Sequence, residues 1–196
     1  MPLAATKAPS AITRLFQLIL LRALARGVRP LALAAGGAAT CDAHHMTAPH
    51  PEGMGAAEAI RGALADARLE PSEIDFINAH GTGTPLNDAA EYQALVAVFG
   101  DRAPDLPVTS TKSLVGHLLG SAGALEAVAT ILCLLHGEVH PMPDEGTSDP
   151  GIRLRLVLGR PLRLARARHA LSTNLAFGGA NAALVFTRYG DEGLAR

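Results

Sequence analysis

The stretch EIDFINAHGTGTPLNDAAEYQALVAVFG, residues 73–100, decides the fold class of this sequence. It begins with the short apolar run EIDFINA (73–79), which predicts a buried strand. A loop with two glycines and two threonines follows. The segment DAAEYQALVAVFG (88–100) then has apolar residues at helical spacing, with Gly100 as a stop signal. A strand, a loop and a helix in this order are typical of an α/β fold.

The same alternation continues on both sides of this stretch. Helices are predicted over 11–26 and 55–69, a long helix or a turn plus helix over 113–137, and strands over 29–38, 106–111 and 152–159. The 113–137 segment is apolar nearly all round, so we expect it to be buried. Residues 169–188, HALSTNLAFGGANAALVFTR, predict a hairpin with a Gly-Gly turn. The sequence therefore predicts an α/β fold with a mixed sheet of about five strands between helix layers.

The composition indicates one folded domain and argues against several classes of partner. The chain has 196 residues, of which 48% are hydrophobic and 18% charged, so intrinsic disorder is not expected. Its formal net charge of -1 gives no electrostatic case for binding nucleic acid or an anionic membrane. The apolar run at 15–21 is too short to span a bilayer, and we interpret it as part of a helix rather than a targeting segment.

The cysteines and the clustered histidines do not indicate a metal site. Cys41 and Cys133 have no metal-ligand spacing and form no disulfide framework, which favours a reducing, cytoplasmic setting. His44, His45 and His50 match no established ligand spacing. We therefore expect no bound metal.

His80 is the first candidate for chemistry, because it follows directly after a predicted buried strand. Gly81 and Gly83 permit an unusual backbone path, and Thr82 and Thr84 place hydroxyls along it. A tight turn with a capping residue and a structural histidine is the alternative.

Lys112 and His117 form the second candidate. Lysine occurs only twice in the chain, which makes Lys112 conspicuous. Lys112 and His117 precede or enter an apolar segment, where an unpaired charge is costly. The alternative is an exposed lysine and a histidine that packs on a carbonyl. Glu91 lies on the next predicted helix after His80 and is a candidate to balance Lys112.

The third candidate is NLAFGGAN (174–181), where Phe177 precedes Gly178 and Gly179. The segment is either an ordinary hairpin turn or a gate whose backbone N–H groups bind an oxyanion.

These three motifs together resemble one family. NAHGTGTPLNDAAE (78–91), TSTKSLVGHLLGSAGALE (109–126) and NLAFGGAN are similar to the C-terminal half of a β-ketoacyl-ACP synthase, a ketosynthase of the thiolase-like superfamily. The segment CDAHHMTAPHPEGMGAAEAIRGAL (41–64) resembles the part of the family that precedes the first motif. Thiolases proper fit less well, because their cysteine-glycine base motif is missing around 174–181.

The resemblance implies a decarboxylative Claisen condensation of acyl and malonyl thioesters, in fatty-acid or polyketide synthesis. It implies an acyltransferase with acyl carrier protein as partner and its phosphopantetheine arm as the only carrier group, without a further cofactor. The implied roles fall on ten residues: His80, His117 and Lys112 as catalytic groups, Glu91 as an acidic partner of Lys112, Thr82 and Thr84 on the pantetheine arm, Phe177 and Gly178 at the gate, and Asp42 with His45 in the loop that moves with the gate.

The sequence departs from the family in one respect that concerns activity. The nucleophilic cysteine of the family lies in its N-terminal half, and neither Cys41 nor Cys133 matches it. We divide the chain into a divergent helical segment (1–22), a β-ketoacyl synthase C-terminal domain (23–190) and a tail (191–196). The isolated chain is predicted to be inactive, with apolar surfaces left bare.

Three hypotheses remain open at this point. The chain pairs with a ketosynthase N-terminal half to complete a condensing site, or it is a non-catalytic subunit that binds a second ketosynthase or carrier protein, or it is a truncated inactive product. A neighbouring reading frame that encodes the cysteine half favours the first, and an intact ketosynthase nearby favours the second.

Overall fold

The computed structural model describes residues 11–146 and 149–190. These form a mixed sheet with helices on both faces, as the alternating pattern predicted. The helices and strands are α1 (Ala11–Ala25), β1 (Ala32–Cys41), α2 (Met54–Ala67), β2 (Phe76–Asn78), α3 (Pro85–Phe99), β3 (Pro107–Thr109), α4 (Lys112–Val115), α5 (Ala122–His136), β4 (Glu138–Val139), β5 (Arg155–Leu156), β6 (Leu162–Arg163), β7 (His169–Ala176) and β8 (Ala180–Arg188). Short 3-10 turns occur at Pro71–Glu73, Gly100–Arg102, Leu119–Ser121 and Phe177–Gly179.

The main sheet has six strands in the order β1-β8-β7-β2-β3-β5. Strand β8 is antiparallel to its two neighbours, β1 and β7. Strands β7, β2, β3 and β5 run parallel to one another. The predicted hairpin is confirmed as β7 and β8, joined by the turn Phe177–Gly179. Strands β4 and β6 form a separate antiparallel pair.

Two apolar clusters hold helices on opposite faces of this sheet. One contains α2 and α3 residues such as Ile60 and Leu95, packed with Ile77 of β2 and Val185 of β8. The other contains Cys133 and Leu134 of α5, packed with Phe76, Ala170 and Phe186. The alternation of side chains along each strand explains why Phe76 and its neighbour Ile77 belong to different clusters.

Helix α2 approaches β1 unusually closely at Gly36. A Cβ atom added at Gly36 would lie 2.4 Å from both the Ala63 carbonyl oxygen and the Ala67 nitrogen. Glycine is therefore required here by space, and the strand also changes register between Ala34 and Gly36.

Of the two alternatives for 113–137, a turn plus helix is confirmed and a single long helix is not. The structure has α4, the turn Leu119–Ser121 and α5, and the chain turns at Gly116 and Leu119, whose φ values are 76° and 52°. The expectation that this segment is buried all round is wrong. Leu119 is 77% exposed and Val128 is 54% exposed, so one side of α5 leaves apolar surface bare.

The stretch Leu119–His136 is the one segment of the described residues that is long and apolar enough, by length and composition, to cross a membrane. Core helices of soluble proteins meet the same criterion. This stretch carries Glu126 and Thr130, which are buried against polar groups of the main sheet, and that is how a core helix packs.

Candidate active site

An open cleft of about 1090 Å³ lies at the ends of β2, β7 and β8. It is lined by residues from all the motifs singled out in the sequence, among them Asp42, His80, Thr82, Thr84, His117 and Phe177. His80 enters it because β2 ends at Asn78, so the following backbone turns out of the sheet. The cleft is therefore the place where the motifs meet.

His80 and His117 are in ring contact inside this cleft. Their ring centroids are 5.4 Å apart and the rings are nearly perpendicular, at 82°. His80 is only 5% exposed. His117 lies in the turn between α4 and α5, where it is exposed rather than buried as the sequence suggested, and its Nδ1 accepts the Leu119 N–H at 3.1 Å.

Burial keeps the His80 imidazole neutral. It lowers the pKa of His80 from 6.5 to about 4, and the positive charges of Lys112 and His117 act in the same direction. The polar side chain of Asn174 opposes this shift. The Nδ1 atom of His80 has no hydrogen-bond partner among the described residues. Because this nitrogen is itself buried, the described residues leave one polar atom of the neutral ring unsatisfied.

Glu91 supports the backbone that carries His80. Its carboxylate accepts the N–H groups of His80 at 2.8 Å and Gly81 at 2.9 Å, and the Thr173 hydroxyl at 2.7 Å. Burial raises the pKa of Glu91 while these hydrogen bonds oppose the rise. The expectation that Glu91 pairs with Lys112 is wrong, because three donors closer to it already occupy its oxygens.

Lys112 pairs instead with Glu126 of α5, and both side chains are almost fully buried. The second oxygen of Glu126 accepts the Asn174 side-chain N–H at 2.8 Å. Asn174 also influences the pKa of His80, so it lies between the Lys112–Glu126 pair and the imidazole. The sequence reasoning missed Glu126 and Asn174. The available signal was that Glu126 is the only acidic residue in the apolar stretch 113–137.

Asn78 joins this chain to the sheet. Its amide donates to Thr111 Oγ1 at 2.8 Å, to Thr130 Oγ1 at 3.1 Å and to the Glu126 carbonyl at 3.2 Å. Its oxygen accepts the Thr111 N–H at 3.1 Å. One fully buried amide therefore fixes β2, α4 and α5 relative to one another.

The turn Phe177–Gly179, here called the gate turn, is bound to the loop after β1. Gly178, with φ of 80°, donates its N–H to the Met46 carbonyl at 2.7 Å. The Asp42 N–H donates to the Gly179 carbonyl at 2.8 Å, and the Asp42 carboxylate accepts the Asn181 amide at 2.8 Å. Phe177 itself is 80% exposed at the cleft.

The remaining sequence candidates lie near the cleft in different roles. The hydroxyls of Thr82 and Thr84 are 3.0 Å apart and line it. His45 accepts the N–H groups of Thr47 and Ala48 within its own exposed loop. Among the described residues, no group of three or more His, Cys, Asp or Glu side chains is arranged to hold a metal ion.

The two cysteines differ in their surroundings. Cys41 is exposed at the end of β1, and its thiol contacts the Gly178 carbonyl at 3.4 Å. Cys133 is buried in α5, where burial raises the pKa of its thiol. Burial of this kind disfavours the thiolate, which is the reactive form.

Comparison with known proteins places this arrangement in a family. Residues 31–144 match the model of the β-ketoacyl synthase C-terminal domain. The chain is 45% identical over 164 residues to the chloroplastic 3-oxoacyl-[acyl-carrier-protein] synthase II of Arabidopsis thaliana, covering 84% of this chain and 30% of that protein. It is 44% identical over 167 residues to 3-oxoacyl-[acyl-carrier-protein] synthase 2 of Synechocystis, covering 85% of this chain and 40% of the relative.

Solved structures agree with the sequence comparison. The ishigamide ketosynthase/chain length factor superposes with a TM-score of 0.81 at 43% identity, over 87% of this chain and 41% of that one. A type II PKS acyl-carrier protein in complex with its ketosynthase gives a TM-score of 0.82 at 34% identity, over the same shares of the two chains. This chain thus spans less than half the length of the relatives it matches. It belongs to the β-ketoacyl synthase family and carries that family's C-terminal domain.

Proposed function

We propose that the chain is the C-terminal part of a β-ketoacyl-ACP synthase and supplies the decarboxylation half of a Claisen condensation. Its substrate is a malonyl thioester on the phosphopantetheine arm of an acyl carrier protein, and no other cofactor is required. The observation that carries the proposal is the ring contact between His80 and His117 in the open cleft, with His80 held neutral.

The chemistry follows from where charge develops. When the bond between the malonyl carboxylate and its α-carbon breaks, CO₂ leaves and the electron pair moves onto the thioester oxygen as an enolate. Hydrogen-bond donors aimed at that oxygen stabilise the charge. The enolate carbon then attacks an acyl thioester carbonyl, and the acyl C–S bond breaks to release a thiolate. The two imidazoles are the groups that we assign to the enolate oxygen.

The other motif residues receive supporting roles in this proposal. Lys112, paired with Glu126, provides positive potential near the imidazoles, and Glu91 holds the His80 backbone. Thr82 and Thr84 bind the pantetheine arm along the cleft wall. Phe177 and Gly178 open and close the mouth, coupled to Asp42 through the gate turn. His45 belongs to the same loop.

The acyl group requires a nucleophile that this chain does not supply. Cys133 is buried with a raised pKa, and Cys41 lies at the gate turn rather than among the imidazoles. We therefore propose that a ketosynthase N-terminal half, or a second ketosynthase subunit in a dimer, provides the thiolate and the rest of the cleft wall. We assign this function to residues 23–190 and to the cytoplasm.

A non-catalytic subunit is the second candidate. It is favoured by one observation: two of the structural neighbours are ketosynthases determined together with a chain length factor. In that case the chain would bind a complete ketosynthase or a carrier protein, and its own imidazoles would take no part in catalysis.

Release of labelled CO₂ from malonyl carrier protein distinguishes these functions. The full chain is combined with a partner subunit that contains the cysteine half, and the variants His80→Ala, His117→Ala and Cys41→Ala are compared. We expect His80→Ala and His117→Ala each to lower the rate by roughly a hundredfold or more, the usual cost of losing one such donor. Cys41→Ala is expected to leave the rate unchanged.

A second measurement on the chain alone tests the nucleophile assignment. Incubated with acyl carrier protein thioester and weighed by mass spectrometry, it should carry no acyl adduct, because neither cysteine is a placed and activated thiolate. A stoichiometric adduct at Cys41, or loss of CO₂ release in Cys41→Ala alone, contradicts the proposal. CO₂ release that is unaffected by both histidine variants favours the non-catalytic subunit.

A further inference from the structure

The basic residues at the start of the chain are separated from its acidic residues. Residues 1–41 contain no acidic residue and five basic ones, which are Lys7, Arg14, Arg22, Arg26 and Arg29. All 18 acidic residues of the chain come from Asp42 onward. The formal net charge of -1, on which the expectation of no membrane partner rests, averages over these two regions. The charge that a surface meets depends on which face approaches it, since charges beyond about 10 Å are screened at 0.1 M salt.

Helix α1 lies in this basic region and uses one face to pack on the sheet. Its half-buried residues are Phe16, Leu20, Ala23 and Leu24, at the spacing of a single helix face. Strand β1 is the element that α1 packs against. The docking of α1 on the domain therefore leaves its opposite face outward.

That outward face combines large aliphatic side chains with arginines. Its exposed aliphatic residues are Leu15, Leu18, Ile19 and Leu21, which are 57%, 60%, 56% and 61% exposed. The exposed basic residues on the same helix and just after it are Arg14, Arg22 and Arg26. Around the helix axis these two kinds of side chain alternate, so the outward face is apolar and cationic at the same time.

We propose that the outward face of α1 binds an anionic lipid surface, with the helix lying in the plane of the headgroups. Leucine and isoleucine side chains enter the boundary between headgroups and acyl chains. Arginine stems lie along that apolar layer while their guanidinium groups reach the phosphates. This interaction is separate from the condensation chemistry, because none of the α1 side chains that the structure describes lines the cleft.

The mixture of side chains favours lipid over other anionic partners. A nucleic acid would pair with the arginines and leave four large aliphatic side chains in water. A second copy of the same face would bury the aliphatic side chains and bring like charges together. Of these three partners, a surface with negative headgroups above an apolar layer is the one that satisfies both kinds of group.

Sedimentation with vesicles tests this proposal on the full chain. Vesicles of phosphatidylglycerol mixed with phosphatidylcholine are compared with phosphatidylcholine alone, at two salt concentrations. We expect binding to the anionic vesicles that weakens as salt is raised. Arg22→Gln with Arg26→Gln should weaken it about 25-fold, or about fivefold per arginine near an anionic surface. Leu18→Gln with Ile19→Gln should weaken it by roughly tenfold or more.

The matched control is Val128→Gln with Leu132→Gln, which removes two exposed aliphatic residues from α5, where no arginine occurs between Ala122 and His136. It should bind vesicles as the parent chain does. Circular dichroism confirms that all variants keep their helices. Equal binding to neutral vesicles, or an equal loss in the α5 control, overturns the proposal. So does an absence of vesicle binding, tighter binding to a DNA duplex, or a dimer that dissociates in the Leu18 and Ile19 variant.

Discussion

Glu126 is a buried side chain that holds other polar side chains near the cleft in place. It is buried in α5, pairs with Lys112 and holds the Asn174 amide at 2.8 Å. Removing one member of a buried pair leaves the other charge unpaired, which costs far more than the pair itself contributes. The stability of the cleft should therefore depend on the charge of Glu126, not only on its shape.

Glu126→Gln is expected to lower the free energy of unfolding by about 3–5 kcal/mol, because it leaves the Lys112 ammonium buried without a counter-charge. Urea denaturation measures this loss. Glu58→Gln is the matched control, since Glu58 pairs with Arg61 on the surface, with side chains 65% and 47% exposed, and should cost about 0.5 kcal/mol or less. Adding Lys112→Met to Glu126→Gln should recover much of the loss. Equal costs for the two glutamates would show that the buried pair is not electrostatically important.

At the scale of single residues, the sequence pointed to His80 and His117 because one follows a predicted strand, the other precedes an apolar helix, and both lie on motifs of one family. The structure brings both into one cleft, and their catalytic role stays a prediction. The partner of Lys112 was misassigned to Glu91, which is 11 residues from His80 in the sequence. Pairing depends on which helix face meets which strand end, and local spacing does not contain that information.

At the scale of elements, the positions of α2 and of the β7–β8 hairpin were predictable, whereas for 113–137 a long helix and a turn plus helix both stayed open. Periodicity identifies an element when one face is apolar and the other polar. The 113–137 segment is apolar on nearly every side, so periodicity does not choose between these alternatives and does not locate the break at Gly116 and Leu119. The close approach of α2 to β1 at Gly36 could likewise not be predicted from the sequence, because it depends on how the two elements pack.

Gly36→Ala is expected to destabilise the chain by about 1–3 kcal/mol, because the new methyl group meets backbone atoms of α2 that cannot rotate away. Gly120→Ala is the matched control, since a Cβ there meets nothing within 4 Å. That variant should stay within about 0.5 kcal/mol of the parent. Thermal or urea unfolding compares the two. A Gly36→Ala chain as stable as Gly120→Ala would mean that α2 moves away from β1 at little cost.

At the scale of the whole molecule, lowering the pH should reduce the stability of the folded chain, because the chain buries imidazoles in their neutral form. Burial lowers the pKa of His80 to about 4 and also lowers the pKa values of His140 and His169. In the unfolded chain histidine takes up its proton near pH 6.5. Between pH 6.5 and the folded pKa the unfolded state binds more protons, so the folding stability falls as the pH is lowered through that window.

The contribution of His80 to this loss of stability is the difference between the parent chain and a His80→Gln variant. Between pH 7 and pH 4 it should account for about 3 kcal/mol of lost stability, given its pKa of about 4 in the folded chain. Urea unfolding of His80→Gln should therefore show a decline smaller by that amount. Parallel profiles for the parent and His80→Gln would show that His80 is not buried in a neutral form.

The pairing of the central strands also sets an order of events during synthesis. The His80 N–H bonds to Thr173 across 93 residues of chain, and β2 takes β7 as its parallel neighbour. Ribosomes add about 5–20 residues per second, so roughly 5–20 seconds separate the synthesis of His80 from that of β7, which completes its surroundings. Strand β3 is made sooner and pairs with β2, but β7, its other neighbour, is still missing throughout that interval. We therefore expect the nascent chain to expose apolar surface and to bind chaperones until β7 and β8 leave the ribosome, when the cleft forms.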